Sequence, residues 1–258
     1  MLRVYTKDVK LLRLLLTICV VCISASTVLA TVVIFLIKFD NQTFVGKQLK
    51  LFLLRYPTVV NTIHLNEPGD WRYVYLNPKQ PTISVIIDYA HNVEINSSAT
   101  QWIQQMISDT TGKSVIVTTS LTSQIASRES YSDQDLNQIR KQLISENSSS
   151  PVVHVVYLTT YASNPEYAGI TLHKDTLFIF QSTLETLTNL DDVQERLEQS
   201  TLMHEWGHLL GLSHIEKQNC IMSEDVEVYA NRRYQGGNIP LVHCWETLQE
   251  LNKMKNSL

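Results

Sequence analysis

His204-Glu205-Trp206-Gly207-His208-Leu209-Leu210-Gly211-Leu212-Ser213-His214 decides how the rest of this chain is read, because each fixed position in it meets a requirement of metal chemistry. His204 and His208 are four apart. At about 100° per residue on an α-helix they leave one face a turn apart and can share one ion. Glu205 stands beside them, where a carboxylate reaches a water in the ion's open position without being a ligand. Gly211 lets the helix stop: a third ligand comes round to the same ion only if the chain reverses, which favours a residue that tolerates positive φ. His214 follows three residues later. The ion implied by three neutral imidazoles and an open corner is Zn²⁺, one catalytic ion whose bound water has its pKa lowered toward about 7. A zinc hydrolase is the leading reading.

The string resembles the signature of the metzincin zinc proteases. That family carries a methionine in a tight turn below the metal, and Met222 in Cys220-Ile221-Met222, eight residues after His214, is similar to it. Without His214 upstream, Met222 would be read as an ordinary core residue. Cys-x-Met with a later cysteine near a C-terminal helix is distantly similar to the archaemetzincins, whose four cysteines after the zinc helix hold a second, structural zinc. The chain departs from that pattern: Ile215 stands where a cysteine would follow the third histidine, the spacing to Cys220 is one residue longer, and Cys244 has no Cys-x-x partner. The cysteine-switch peptide of the matrixins is missing too, as is a tyrosine two residues beyond Met222 as in astacins. The resemblance therefore carries one zinc and no subfamily. Its firm part covers about residues 192–222, with a looser likeness of element order from about 82 onward.

What the resemblance implies is a metalloendopeptidase of α/β, zincin-type fold. Glu205 would be the catalytic residue, taking a proton from the attacking water and passing it to the leaving amine. His204, His208 and His214 would be the metal ligands, with Met222 in the Met-turn. By analogy, Gly169, Ile170 and Thr171 on an edge strand would offer backbone groups to a peptide or protein substrate. A rival from another class is a membrane-tethered peptide-binding protein that keeps the metal shell without catalysis. The intact Glu205 argues against it, since such a protein could lose that residue and keep its fold. A thermolysin-like site with a downstream glutamate as third ligand is made unnecessary by Gly211 and His214.

The 258 residues, 44% of them hydrophobic, suffice for one membrane segment and one domain of about 180 residues. Leu14 to Ile37 carries no charge and is bracketed by Arg13 and Lys38. At 1.5 Å per residue it makes about 36 Å of helix, enough to cross a bilayer. The run has no polar stripe, which disfavours a core helix. It reads as an anchor; the competing reading, signal-peptidase cleavage after Val28-Leu29-Ala30, sits awkwardly with the apolar residues continuing to Ile37. Flanking cations are tied, Arg3, Lys7, Lys10 and Arg13 against Lys38, Lys47, Lys50 and Arg55, and the short basic tail favours N-inside. The catalytic domain is then extracytoplasmic, where Asn41-Gln42-Thr43, Asn96-Ser97-Ser98 and Asn147-Ser148-Ser149 would be glycosylation acceptors. Cys19 and Cys22 fall inside the apolar run; Cys220 and Cys244 are left as either a disulfide or two buried thiols. A net charge of −4 gives no basic surface for nucleic acid.

These readings divide the chain into a basic tail (1–13), a transmembrane anchor (14–37), an extended stem punctuated by Pro57, Pro68-Gly69, Pro78 and Pro81 (38–81), and a metalloprotease domain (82–258). Leu49 to Leu54 forms an apolar patch suited to a membrane surface. From Thr82 the pattern runs strand (82–88), helix (98–111), strand (114–119), helix from Ser132, strand (152–158), which predicts a mixed, mainly parallel twisted sheet. Tyr167–Leu172 and Thr176–Phe180, joined through His173-Lys174-Asp175, predict a hairpin with an antiparallel edge strand. Asp192 with Glu195 reads as the cap of the zinc helix, whose apolar face is Leu202, Trp206, Leu209 and Leu210. Pro240 opens a final helix through Leu241, Trp245, Leu248 and Leu251 in a small C-terminal subdomain. His64, His91, His154, His173 and His243 have no comparable spacing and read as structural, His173 alone lying near the expected cleft.

Overall fold

The structure is a computed structural model that describes residues 2–39, 43–122, 125–144, 151–217, 219–224, 226, 229 and 239–257, the side chains of 2–15, 38 and 39 excepted. The acceptor at Asn147-Ser148-Ser149, Asn41 and Gln42, and most of the polar stretch after Met222 lie outside them. The chain divides into two compact units, Met1–Leu65 and Asn66–Leu258.

The first unit is helical: α1 (Leu2–Phe39), α2 (Phe44–Leu53) and α3 (Pro57–Thr62). Within α1, Leu16–Ile37 is long and apolar enough to cross a membrane, by length and composition. The extended stem expected after it is helix instead, for local reasons. Thr43 caps α2 by accepting the Gly46 N–H at 3.2 Å. Pro57 stands at the start of α3, where its missing N–H leaves no bond unmade.

The second unit opens with a short helix, α4 (Arg72–Leu76), followed by β1 (Thr82–Tyr89), α5 (Ala99–Thr111), β2 (Ser114–Leu121), α6 (Asp133–Leu143) and β3 (Val152–Leu158). The hairpin β4 (Gly169–Thr171) and β5 (Thr176–Phe180), α7 (Gln181–Leu187), α8 (Asp191–Leu209) and α9 (Trp245–Asn256) complete it. The sheet order is β2-β1-β3-β5-β4, parallel throughout except for β4. The chain steps out from β1 to β2 through α5 and back across to β3 through α6. This is the mainly parallel sheet with an antiparallel edge that the alternating pattern predicts. β3 and β5 bury both faces, and their sequences are correspondingly continuous: Val153, Val155, Val156, Tyr157 and Leu158 on β3, Leu177 to Phe180 on β5. Ser132 caps α6 through a reciprocal box with Asp135.

Buried polar groups tie the sheet to its surroundings. The His154 ring and the Thr122 hydroxyl both bond the buried Asp88 carboxylate, at 2.7 and 2.9 Å. Arg140 makes a two-pronged bond of 2.8 and 2.7 Å to Asp175 in the β4–β5 turn. His173, in the same turn, bonds Asn66 at 3.0 Å, and burial lowers its pKa, which fits a structural histidine. The final helix differs from expectation. It starts at Trp245, not at Pro240, with Cys244, which is disulfide-bonded to Cys220, at its N-cap. It buries Thr247, Leu251 and Met254, a stripe four and three residues apart, and leaves Trp245 68% and Leu248 42% exposed.

Candidate metal centre

Helix α8 crosses the edge of the sheet by β4 and β5 and carries Glu205 and two of the three clustered histidines. Its apolar stripe, Leu202, Trp206, Leu209 and Leu210, is buried as the spacing requires. Asp192 does not cap it. The helix begins two residues earlier, with Leu190 at the N-cap and no side-chain cap bond, so Asp191 and Asp192 meet only the positive end of the helix dipole. Glu195, expected to answer that cap, instead accepts from Ser98 at 2.9 Å and Gln199 at 3.2 Å. The other end follows the predicted stop. Gly211 has φ +80, its N–H bonds the His208 carbonyl at 2.8 Å, and the Leu212 N–H reaches back to the Gly207 carbonyl at 2.9 Å. This paired closure satisfies two of the last free carbonyls of the helix and turns the chain toward His214.

The structure brings His204, His208 and His214 together, with their Nε2 atoms 3.0–3.1 Å from one another. The far nitrogens fix the chemistry of the near ones. His204 Nδ1 lies 2.7 Å from the Ile221 carbonyl and His208 Nδ1 lies 3.0 Å from the Leu212 carbonyl. A carbonyl only accepts, so each Nδ1 carries the proton, and in a neutral ring Nε2 is then a bare lone pair. Lone pairs facing each other at that distance repel unless a cation sits among them. An ion about 2.0–2.1 Å from three imidazole nitrogens in tetrahedral array would space them roughly 3.3 Å apart, close to what is seen. The donor set fits Zn²⁺.

Glu205 is buried, 1% exposed, between α8 and β4. Thr171 Oγ1 donates to its Oε2 at 2.7 Å and lies 3.1 Å from its main-chain oxygen. Gly169 presses from the same strand: a Cβ there would stand 3.0 Å from Glu205 Cγ and 2.6 Å from Thr201 Cγ2. Ile170 between them is half-buried and pairs with Phe178. Strand β4 ends the sheet, and among the described residues no strand pairs with its far side.

Met222 is fully buried under α8, and a Cβ on Gly207 would run into its sulfur. The loop from Cys220 to Met222 thus does three things. Cys220 is disulfide-bonded to Cys244, the Ile221 carbonyl orients His204, and Met222 fills the notch left by Gly207. Of the two options left for the cysteines, the structure has the bridge.

Several contributors were not visible in the spacing. Gly69, with φ +81, packs back to back on Gly211, a Cβ on it falling 2.6 Å from the Gly211 Cα, and the Arg72 guanidinium covers Gly211. Tyr75 lies against Trp206, ring centroids 5.3 Å apart. His243 has both ring nitrogens buried with no hydrogen-bond partner among the described residues, and burial followed by the nearby His204 holds its pKa down at about 4. Gly207 did carry a signal: a glycine inside a helix loses about 1 kcal/mol against alanine and implies a packing reason.

No protein-family model and no curated protein matches the chain. Solved structures do. The crystal structure of archaemetzincin from Methanopyrus kandleri superposes with a TM-score of 0.51 at 16% identity, covering 70% of this chain and 99% of the other. A zinc-dependent peptidase from Methanocorpusculum labreanum gives 0.44 at 12%, covering 65% and 100%. At such identity the first likeness is one of fold: the sheet and helices are arranged as in that archaemetzincin.

Proposed function

We propose that this chain is a zinc-dependent endopeptidase of metzincin type, held at a membrane by α1, with its catalytic domain outside the cytoplasm. The observation that carries the activity is the convergence of three Nε2 lone pairs beside a buried carboxylate. The archaemetzincin-like fold and the buried Met222 support the type. The apolar length of α1 supports the anchor, and the Cys220–Cys244 bridge supports an oxidising compartment.

His204, His208 and His214 would hold the ion, each by Nε2. When bound, zinc supplies Lewis acidity, polarising the scissile carbonyl and lowering the pKa of a water. Glu205 takes the proton from the attacking water and delivers it to the leaving nitrogen, so one carboxylate serves as base and then acid. The open edge at Gly169, Ile170 and Thr171 lines up an extended peptide through main-chain hydrogen bonds. The carbonyls of Ile221 and Leu212 keep two of the ligands in the tautomer that binds metal.

Metal analysis and a peptide-library cleavage assay on the full chain in detergent test this directly. Glu205→Gln retains one zinc and loses turnover. His214→Ala weakens zinc binding far more than His64→Ala. A wild-type chain that takes up no stoichiometric zinc, or a Glu205→Gln variant that cleaves at the wild-type rate, would overturn the assignment.

A further inference from the structure

We infer that Thr171 is a positioning residue: its hydroxyl orients the Glu205 carboxylate for proton transfer. The inference rests on the peptidase reading and adds to it a side-chain role on β4 that is separate from main-chain pairing with substrate.

A glutamate next to a metal ligand is placed by its helix only as far as Cβ. Beyond that it has three torsions, and a general base acts only from a defined position within hydrogen-bond reach of the proton it takes. Two residues of β4 remove this freedom. Gly169 sets a wall, since the space a Cβ would occupy there is bounded by Glu205 Cγ at 3.0 Å, Glu205 Oε1 at 3.1 Å and Thr201 Cγ2 at 2.6 Å. Thr171 supplies the bond, Oγ1 to Oε2 at 2.7 Å.

The donor is itself held. Thr171 is β-branched, which restricts χ1, and it is in register with Leu177 in the antiparallel pair, so its hydroxyl is fixed by the sheet. It carries one proton and has two acceptors in range, the carboxylate at 2.7 Å and the Glu205 main-chain oxygen at 3.1 Å. The charged and nearer oxygen takes it. Valine would fill the same volume without donating, leaving a buried carboxylate oxygen without that bond. Serine would keep the donor.

The test compares Thr171→Val and Thr171→Ser in the full chain. Thr171→Val keeps wild-type zinc content, lowers kcat about 10–100-fold and leaves KM unchanged, while Thr171→Ser recovers most of the rate. A readout independent of turnover is the affinity for a peptide hydroxamate, whose N–O–H group engages both the metal and the carboxylate. That affinity falls about 10-fold in Thr171→Val, and the substitution adds nothing in a Glu205→Gln background. Wild-type kcat and hydroxamate affinity in Thr171→Val would overturn the inference. So would a Thr171→Ser variant as impaired as Thr171→Val, or zinc lost in parallel with activity. If the wild-type chain binds zinc but cleaves nothing, the peptidase reading fails, and the hydroxamate comparison still decides whether Thr171 orients Glu205.

Discussion

Replacing Gly207 with alanine sets two effects of known sign against each other. In an open helix position, alanine is favoured over glycine by about 1 kcal/mol. Here the new methyl group must displace the Met222 sulfur and its terminal methyl, the latter 3.1 Å away, with Leu212 Cδ1 at 3.6 Å behind. Met222 is wholly buried, so it cannot swing into solvent; overpacking of this kind costs about 1–3 kcal/mol. The contest therefore ends about 1 kcal/mol against the variant, a fall in Tm of about 2–4 °C for a domain of this size. The metal reports the same event. Pushing Met222 down moves Ile221, whose carbonyl orients His204, and zinc affinity drops about 10-fold. Thermal unfolding of the metal-free chain, followed by zinc titration with a competing chelator, measures both. In a double-mutant cycle with Met222→Ala, the alanine at 207 no longer meets the sulfur and gains about 1 kcal/mol instead of losing about 1, a coupling energy of about 2 kcal/mol. A Gly207→Ala chain stabilised by the full helix-propensity gain, with zinc affinity intact, would refute this account of the Met222 contact.

The Cys220–Cys244 bridge closes a loop with a sequence separation of 24, which by chain entropy corresponds to about 3 kcal/mol; Cys244→Ser loses that much in chemical denaturation and also releases zinc sooner under chelator. Glu198 is held above its ordinary value of 4.5, first by burial, so above that pH the unfolded chain releases a proton that the fold retains, and this group's contribution to stability falls as pH rises through the window. Glu198→Gln, which can still accept from Tyr157, is accordingly more stable than wild type at pH 7–8 and has a flatter stability profile above about pH 4.5, read by unfolding at a series of pH values.

Much of the second unit could be read from local pattern. A β-rich run gives β1, short strand patterns give β3 and β5, and the i, i+4 spacing of His204 and His208 with Gly211 behind it describes the end of α8. The errors cluster where a residue type has two uses. Pro57 reads as a breaker and is a helix start, Asp192 reads as a cap and is a first-turn charge, and Pro240 reads as the opening of a helix that starts at Trp245. The parts of the site that spacing could not give are contacts across the fold. Thr171 reaches Glu205 from 34 positions earlier, and Gly69 reaches Gly211 from further still. Periodicity carries no information about such pairs. Only the cost of an unexplained residue, such as a glycine in mid-helix at 207, hints that a partner exists.

The strand pattern begins at Thr82, which makes that residue a tempting place to start a shortened, soluble version of the protein. The segment just before it argues otherwise. Cutting there would strip away Gly69 and Arg72, uncovering the bend on which the third histidine depends, and would remove the Tyr75 ring from Trp206 and its hydroxyl from the Lys174 carbonyl, 2.8 Å away. A trimmed chain meant to keep its metal has to begin no later than Asn66, and one begun at Thr82 is expected to express as a poorly folded, metal-poor protein whatever its catalytic residues.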